Sequence, residues 1–170
     1  RALSHYQQAL AIHREIGDRR GEGSDLGNMG IVYENLGQYD KALSFYEQAL
    51  AIKREIGDRR GEGADLSNIG IVYMELGQYD KAEQAFSESL AMCEEVGAPE
   101  SLWLAQRGLA SVEVKLNRGD SAVLHYEQAL GTIESMREGL ADKEAKTSFM
   151  RGKIYVYDEL IALLESLHGK

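Results

Sequence analysis

Shifting the chain by 40 residues superimposes residues 17–56 on residues 57–96 with 24 identities, so one structural unit is written twice in succession. The first 15 residues of the pattern, 2–16, match 42–56 at 12 positions, which makes them the second half of an earlier unit. A third, worn copy over 97–136 keeps Leu116, Asp120, Ala122 and the run 126–130, and beyond it the period fails. A chain built this way continues its apolar core as a strip from unit to unit. The expected organisation is one domain over 1–170. It comprises the second helix of a truncated repeat at 2–16, repeats at 17–56 and 57–96, a degenerate repeat at 97–136 and a capping helix within 137–170. From the start in mid-repeat and the absence of an initiator Met, the chain is expected to be a piece of a longer one.

Within the second full unit Leu66, Ile69, Gly70 and Tyr73 fall at helical spacing, residues 76–80 interrupt, and Ala82, Phe86, Leu90 and Cys93 resume the spacing. Each unit therefore reads as two helices joined by a tight turn. Asp18 and Asp58 are expected to cap first helices, Asp40, Asp80 and Asp120 to cap second helices, and Pro99 to open a first helix where no N–H is lost. Gly37 and Gly77 suit left-handed positions past a helix end. Gly30, Gly70 and Ala110 are expected to face Ala42, Ala82 and Ala122, letting paired helices approach while Tyr33, Tyr73 and Phe86 fill beside them. After the repeats, Phe149, Ile154, Tyr157, Leu160, Ile161 and Leu164 share one face of a long closing helix over about 141–167.

Composition narrows the function. A net charge of -9, a pI near 5.0 and no Lys/Arg run disfavour nucleic acid as a partner. No apolar run approaches the roughly 20 residues that span a bilayer, so no membrane association is expected. Cys93, the one cysteine, excludes an internal disulfide, suits a reducing compartment such as the cytoplasm, and is expected to be partly buried at a repeat junction. His5, His13, His125 and His168 lie in separate units, so no metal site is expected. The Gly21, Gly23, Gly27 spacing departs from a phosphate-cradling loop, so no cofactor is expected either. Charges such as Glu47, Lys53, Arg54 and Glu55 read as a solvated face. With no nucleophile beside a base, the chain is expected to be non-enzymatic.

Leu66, Ile69-Gly70, Tyr73, Leu76-Gly77, Tyr79, Ala82 and Phe86 resemble the tetratricopeptide repeat consensus in a 40-residue form. The third unit departs, with Glu113, Ala110 and Gly119 for Tyr73, Gly70 and Tyr79, and is expected to be a looser hairpin. The resemblance implies an all-α, right-handed superhelix, an α-solenoid of antiparallel hairpins with a long C-terminal capping helix. First helices line its concave side, and the expected function is to bind a protein or peptide there. In peptide-binding members an asparagine two residues before the small Gly bonds the ligand backbone, which points to Asn28 and Asn68. Gly108 breaks that ladder. Arg107 stands where carboxylate-binding members carry a basic residue. One turn further along the same face lie Ile31, Ile71 and Ser111, then Glu34, Met74 and Val114.

The closing segment is similar, through Leu140, Phe149, Tyr157, Leu160, Ile161, Leu163, Leu164 and Leu167, to the helix joining bacterial repeats of this kind to a caspase-like CHAT peptidase domain. That similarity implies the sensing arm of a larger protein. Spindle-orientation scaffolds with comparable G-D-R and N-x-G signatures imply the alternative, a pure adaptor. A packing role is expected for Trp103, across the junction with the second unit. A monomer is expected, with a dimer possible through Tyr6, Leu10 and Ile16 on the opening helix.

Overall fold

The structure, a computed structural model, describes residues 2–169. Among them are nine α-helices and no strand: α1 Ala2–Ile16, α2 Arg19–Asn35, α3 Tyr39–Glu55, α4 Arg59–Glu75, α5 Tyr79–Val96, α6 Pro99–Lys115, α7 Gly119–Glu138, α8 Lys143–Arg151 and α9 Tyr155–His168. Left-handed residues punctuate the chain at 17, 37, 57, 77, 97 and 117, glycine in the first five and Asn117 (φ 58°) in the last. A reversal every 20 residues makes each 40-residue period one antiparallel hairpin: α2 on α3, α4 on α5, α6 on α7. The hairpins stack through α3 on α4 and α5 on α6, giving an all-α solenoid.

The first-helix caps form as expected, with the Asp18 and Asp58 carboxylates accepting from the Gly21 and Gly61 amides at 3.0 Å, and Pro99 opening α6. The second-helix caps do not. Gln38, Gln78 and Arg118 occupy the cap positions without a side-chain bond, and Asp40, Asp80 and Asp120 lie inside the first turn. Their negative charge there still suits the positive end of the helix dipole.

Large rings, rather than the alanines, are what the helix glycines accommodate. A Cβ on Gly30 would lie 2.6 Å from the Tyr46 ring, and one on Gly70 2.8 Å from Phe86. The third hairpin is not loosened, because its departures are filled from elsewhere. Gly108 makes room for Phe86 of the previous unit, Gly119 for Leu167 of α9, and Ala110, Ala122, Ala129 and Ile133 are fully buried.

The junctions between units are partly ionic, which corrects the solvated-face reading for Lys53, whereas Glu47, Arg54 and Glu55 are exposed as expected. Lys53 Nζ lies 2.7 Å from Asp65 Oδ2 and Arg54 faces Glu62 at 3.7 Å across the junction, while Arg19 holds Glu55 within its own hairpin. Glu62 and Asp65 are each only 2% exposed, so these charges are junction pairs. One unit earlier His13 Nδ1 meets Asp25 at 2.7 Å and Arg14 donates to Glu22 at 2.8 Å. One unit later Cys93 and Ala105 occupy the Lys53 and Asp65 positions. Cys93 is wholly buried, beside the Ser89 hydroxyl at 3.8 Å, rather than partly so.

The opening helix is better covered than expected: Leu10 is buried and Tyr6 packs with Leu26, Met29, Ala49 and Ile52, leaving Ile12 and Ile16 exposed. The long closing helix is broken into α8 and α9 by a turn at 152–154. Gly152 disfavours continuing the helix by about 1 kcal/mol, and Lys153 settles over the Phe149 and Trp103 rings, 3.8 and 5.6 Å from their centroids. The bend turns Val156 and Leu163 into the core and leaves Ile154 and Ile161 outside, correcting the expected face. Trp103 is buried with Val156, Leu163, Tyr126 and Ile133, toward the closing helices rather than the second unit.

Candidate functional site

The first helices α2, α4 and α6 are neighbours, so equivalent positions on them form rungs 40 residues apart. Asn28 and Asn68 occupy one rung and are half-buried, between fully buried neighbours such as Leu26, Met29, Leu66 and Ile69. The side chains of α2 and α4 that form hydrogen bonds include Ser24, Glu34, Asn35, Ser67 and Glu75. Neither asparagine amide is engaged among the described residues, so each keeps its donor and acceptor.

The next rungs differ in how far they are committed to the fold. Position 46 and its equivalents carry a large buried ring, Tyr46, Phe86 and Tyr126. A buried hydroxyl needs a partner. Glu34 accepts from Tyr46 Oη at 2.6 Å, and Ser111 Oγ lies 3.3 Å from Tyr126 Oη. Phe86 has no hydroxyl, and the equivalent of Glu34 above it is Met74. Burial pushes the Glu34 carboxyl above the usual carboxylate range, against the opposing Tyr46 bond. Glu34 and Ser111 are thus structural partners as well as surface groups, whereas Ile31, Ile71 and Met74 are apolar surface, Ile31 43% exposed.

Between α4 and α6 the rungs enclose a pocket of about 130 Å³. Ile71 and Met74 line one wall and Arg107 and Ser111 the other, so four of the eight expected residues meet at one place. Asn28, Ile31, Glu34 and Asn68 lie outside it, further toward the N-terminal end of the same face. Glu75, Leu104, Gly108 and Phe86 also line the pocket and were not expected there. Gly108, a glycine in place of asparagine on the ladder, leaves the room into which the buried Phe86 ring packs.

Arg107 is already holding a carboxylate. Its Nε and Nη2 donate to Glu159 Oε2 and Oε1 of α9 at 2.8 and 2.5 Å, the two-pronged geometry expected for a ligand acid. The Tyr155 ring stacks on the guanidinium, 4.8 Å from Cζ to the ring centroid. The closing helix therefore supplies its own acid to this end of the face.

Burial pushes the Cys93 thiol up, the reverse of an activated nucleophile. His125 Nδ1 lies 2.8 Å from Glu113, and His168 Nδ1 lies 2.7 Å from the Leu164 carbonyl within its own helix. Among the described residues no three His, Cys, Asp or Glu side chains converge as a metal site, and no helix is long and apolar enough to cross a membrane.

A family model described as tetratricopeptide repeat matches residues 1–55 and 64–135. No curated protein sequence matches the chain. Among solved structures, BtubC (BKLC) from P. vanneervenii is similar with a TM-score of 0.72 and 20% identity, over 98% of this chain and 73% of its own. A putative kinesin light chain from P. anserina with nearly identical TPR-like repeats gives 0.62 and 18%, over 98% and 84%. A Signal Transduction ATPase with Numerous Domains from Pyrococcus horikoshii, which has a tetratricopeptide repeat sensor, gives 0.67 and 20%, over 98% of this chain and 30% of its own. At these identities the likeness concerns the fold.

Proposed function

Because the chain belongs to the tetratricopeptide repeat family, whose repeats serve as protein-interaction modules, we propose that it holds an extended segment of a partner protein along the face of α2, α4 and α6. The observation that carries this reading is the pair of unengaged amides, Asn28 and Asn68, one repeat apart beside the apolar surface of Ile31, Ile71 and Met74. An amide offers a donor and an acceptor together, which matches the backbone of an extended peptide. The apolar rung supplies area and the amides supply register. At the far end Arg107, Ser111 and the small pocket receive a side chain or a terminal acid, in competition with Glu159.

The wider role we propose is the sensing arm of a larger multidomain protein in the cytoplasm. The structural neighbour with a repeat sensor inside a longer signalling ATPase supports an arm of this kind. The closing segment's similarity to the CHAT linker makes a cysteine peptidase the proposed effector. The second reading is a free-standing adaptor, favoured by the putative kinesin light chain, most of whose length this chain covers.

The test is calorimetric titration of a peptide selected for binding by display on the immobilised protein. Changing Asn28 and Asn68 together to Ala is expected to weaken binding by about tenfold or more, the cost of two hydrogen bonds at roughly 1 kcal/mol each. Their half-exposed positions predict little change in melting temperature. Equal affinity for parent and double variant overturns the groove reading.

A further inference from the structure

A second surface, independent of the groove, lies where α7 ends against α8. A cleft of about 500 Å³ opens there, lined by Arg137, Lys143, Lys146 and Arg151, with no acidic side chain in its wall. Residues 137–153 carry five basic and three acidic groups, while the rest of the chain carries 14 and 25. This cationic cleft thus sits on a strongly anionic body.

Elsewhere half of the cations are consumed internally: Arg14, Arg19, Lys53, Arg54, Arg59, Arg107 and Arg118 each face a carboxylate of the fold, while Arg20, Lys41, Arg60, Lys81 and Lys115 stand dispersed on different helices. In the cleft only Arg137 does so among the described residues, through Glu134 at 2.6 Å. Even there Nε of Arg137 is buried without an acceptor. A buried donor left unmatched costs free energy, and gathering four like charges adds repulsion, which an anion in the cleft relieves.

The lining also has an apolar part, a half-buried Met150 and Ile154, which is 61% exposed. A bare anion gains nothing from these side chains, and an extended polyanion is repelled by the surrounding surface. We propose that the α7–α8 cleft is a docking site for a short acidic peptide segment carrying a large apolar residue among its carboxylates. Its acids pair with Lys143, Lys146, Arg151 and the free edge of Arg137, and its apolar side chain covers Ile154 and Met150.

The probe is a fluorescent 12-residue peptide of alternating Glu and Leu, followed by anisotropy against the whole chain. Changing Lys143, Lys146 and Arg151 together to Gln is expected to weaken binding about tenfold or more, and raising salt from about 50 to about 300 mM to weaken it in the parent. Ile154→Ser, at an exposed position, is expected to cost about threefold, the scale of one partly covered apolar side chain. The Asn28→Ala/Asn68→Ala protein should bind this probe as the parent does, which separates this surface from the groove. Unchanged helicity and melting temperature exclude misfolding of the Gln variant. Failure of the peptide to bind, or equal affinity for the Gln variant, overturns the proposal. So does binding of anionic lipid vesicles through the same lysines without binding of the peptide.

Discussion

Phe86 owes its position to two glycines on different helices. A Cβ on Gly70 would fall 2.8 Å from its ring and one on Gly108 2.4 Å, so both α4 and α6 close directly onto the phenyl face. Gly70→Leu is expected to lower stability by at least about 1–3 kcal/mol through overpacking, and an unchanged denaturation midpoint contradicts that packing. The two glycines were not equally legible. Gly70 repeats Gly30 and lies on a helical stripe, so its smallness reads directly. Gly108 looked like a lapse in the Asn28–Asn68 ladder, because the ring it admits lies 22 residues away on another helix. Asp65 was also hidden, since nothing local separates a buried acid from a solvated one. Burial pushes its carboxyl up to about 6 despite the Lys53 ammonium 2.7 Å away. The unfolded chain ionises this group near pH 4, so the folded chain holds the extra proton between about pH 4 and 6. Stability from this site is therefore expected to fall by about 2–3 kcal/mol as pH rises through that window, and then to level off. Urea unfolding of parent and Asp65→Asn at pH 4, 5 and 6.5 checks this, and parallel pH dependences contradict it.

At the scale of elements, the reversals between helices were readable, although the acids assigned as second-helix caps lie inside the first turn instead. A left-handed residue every 20 positions forces reversal whatever the core contains. The asparagine at 117 serves because its short polar side chain tolerates that conformation. The closing segment was less readable, since a six-residue apolar stripe looks the same whether the helix is continuous or broken. Gly152 and the seating of Lys153 on two rings decide the matter, and the rings' positions are set by α6 and α8 together. The break lets α9 bring Tyr155 and Glu159 onto Arg107. Glu159→Gln is expected to raise affinity about fivefold to tenfold for a groove peptide ending in a free carboxylate, because one charged competitor is removed. The same peptide with an amidated end should gain much less. Equal gains for both ends, or none, contradict a competing role for Glu159.

For the whole molecule, the 40-residue period made an all-α solenoid legible before any contact was known, because self-similar units can bury their apolar stripes only against one another. The candidate site was legible as a face and less so as chemistry. Rung positions follow from the period, whereas the engagement of Arg107 depends on a helix outside it. The solenoid leaves three surfaces of different character: the amide-and-apolar face of α2, α4 and α6, the opposite helices with exposed Ile12 and Ile16, and the basic cleft with exposed Ile154. Isoleucine methyl groups mark all three. The most direct test is therefore a methyl-resolved NMR titration of the intact chain with a display-selected peptide. The account predicts that the Ile31 and Ile71 methyl signals shift with the peptide while those of Ile12, Ile16 and Ile154 stay in place. Movement of Ile12 and Ile16, or of Ile154, with Ile31 and Ile71 unmoved would show that the partner uses another face.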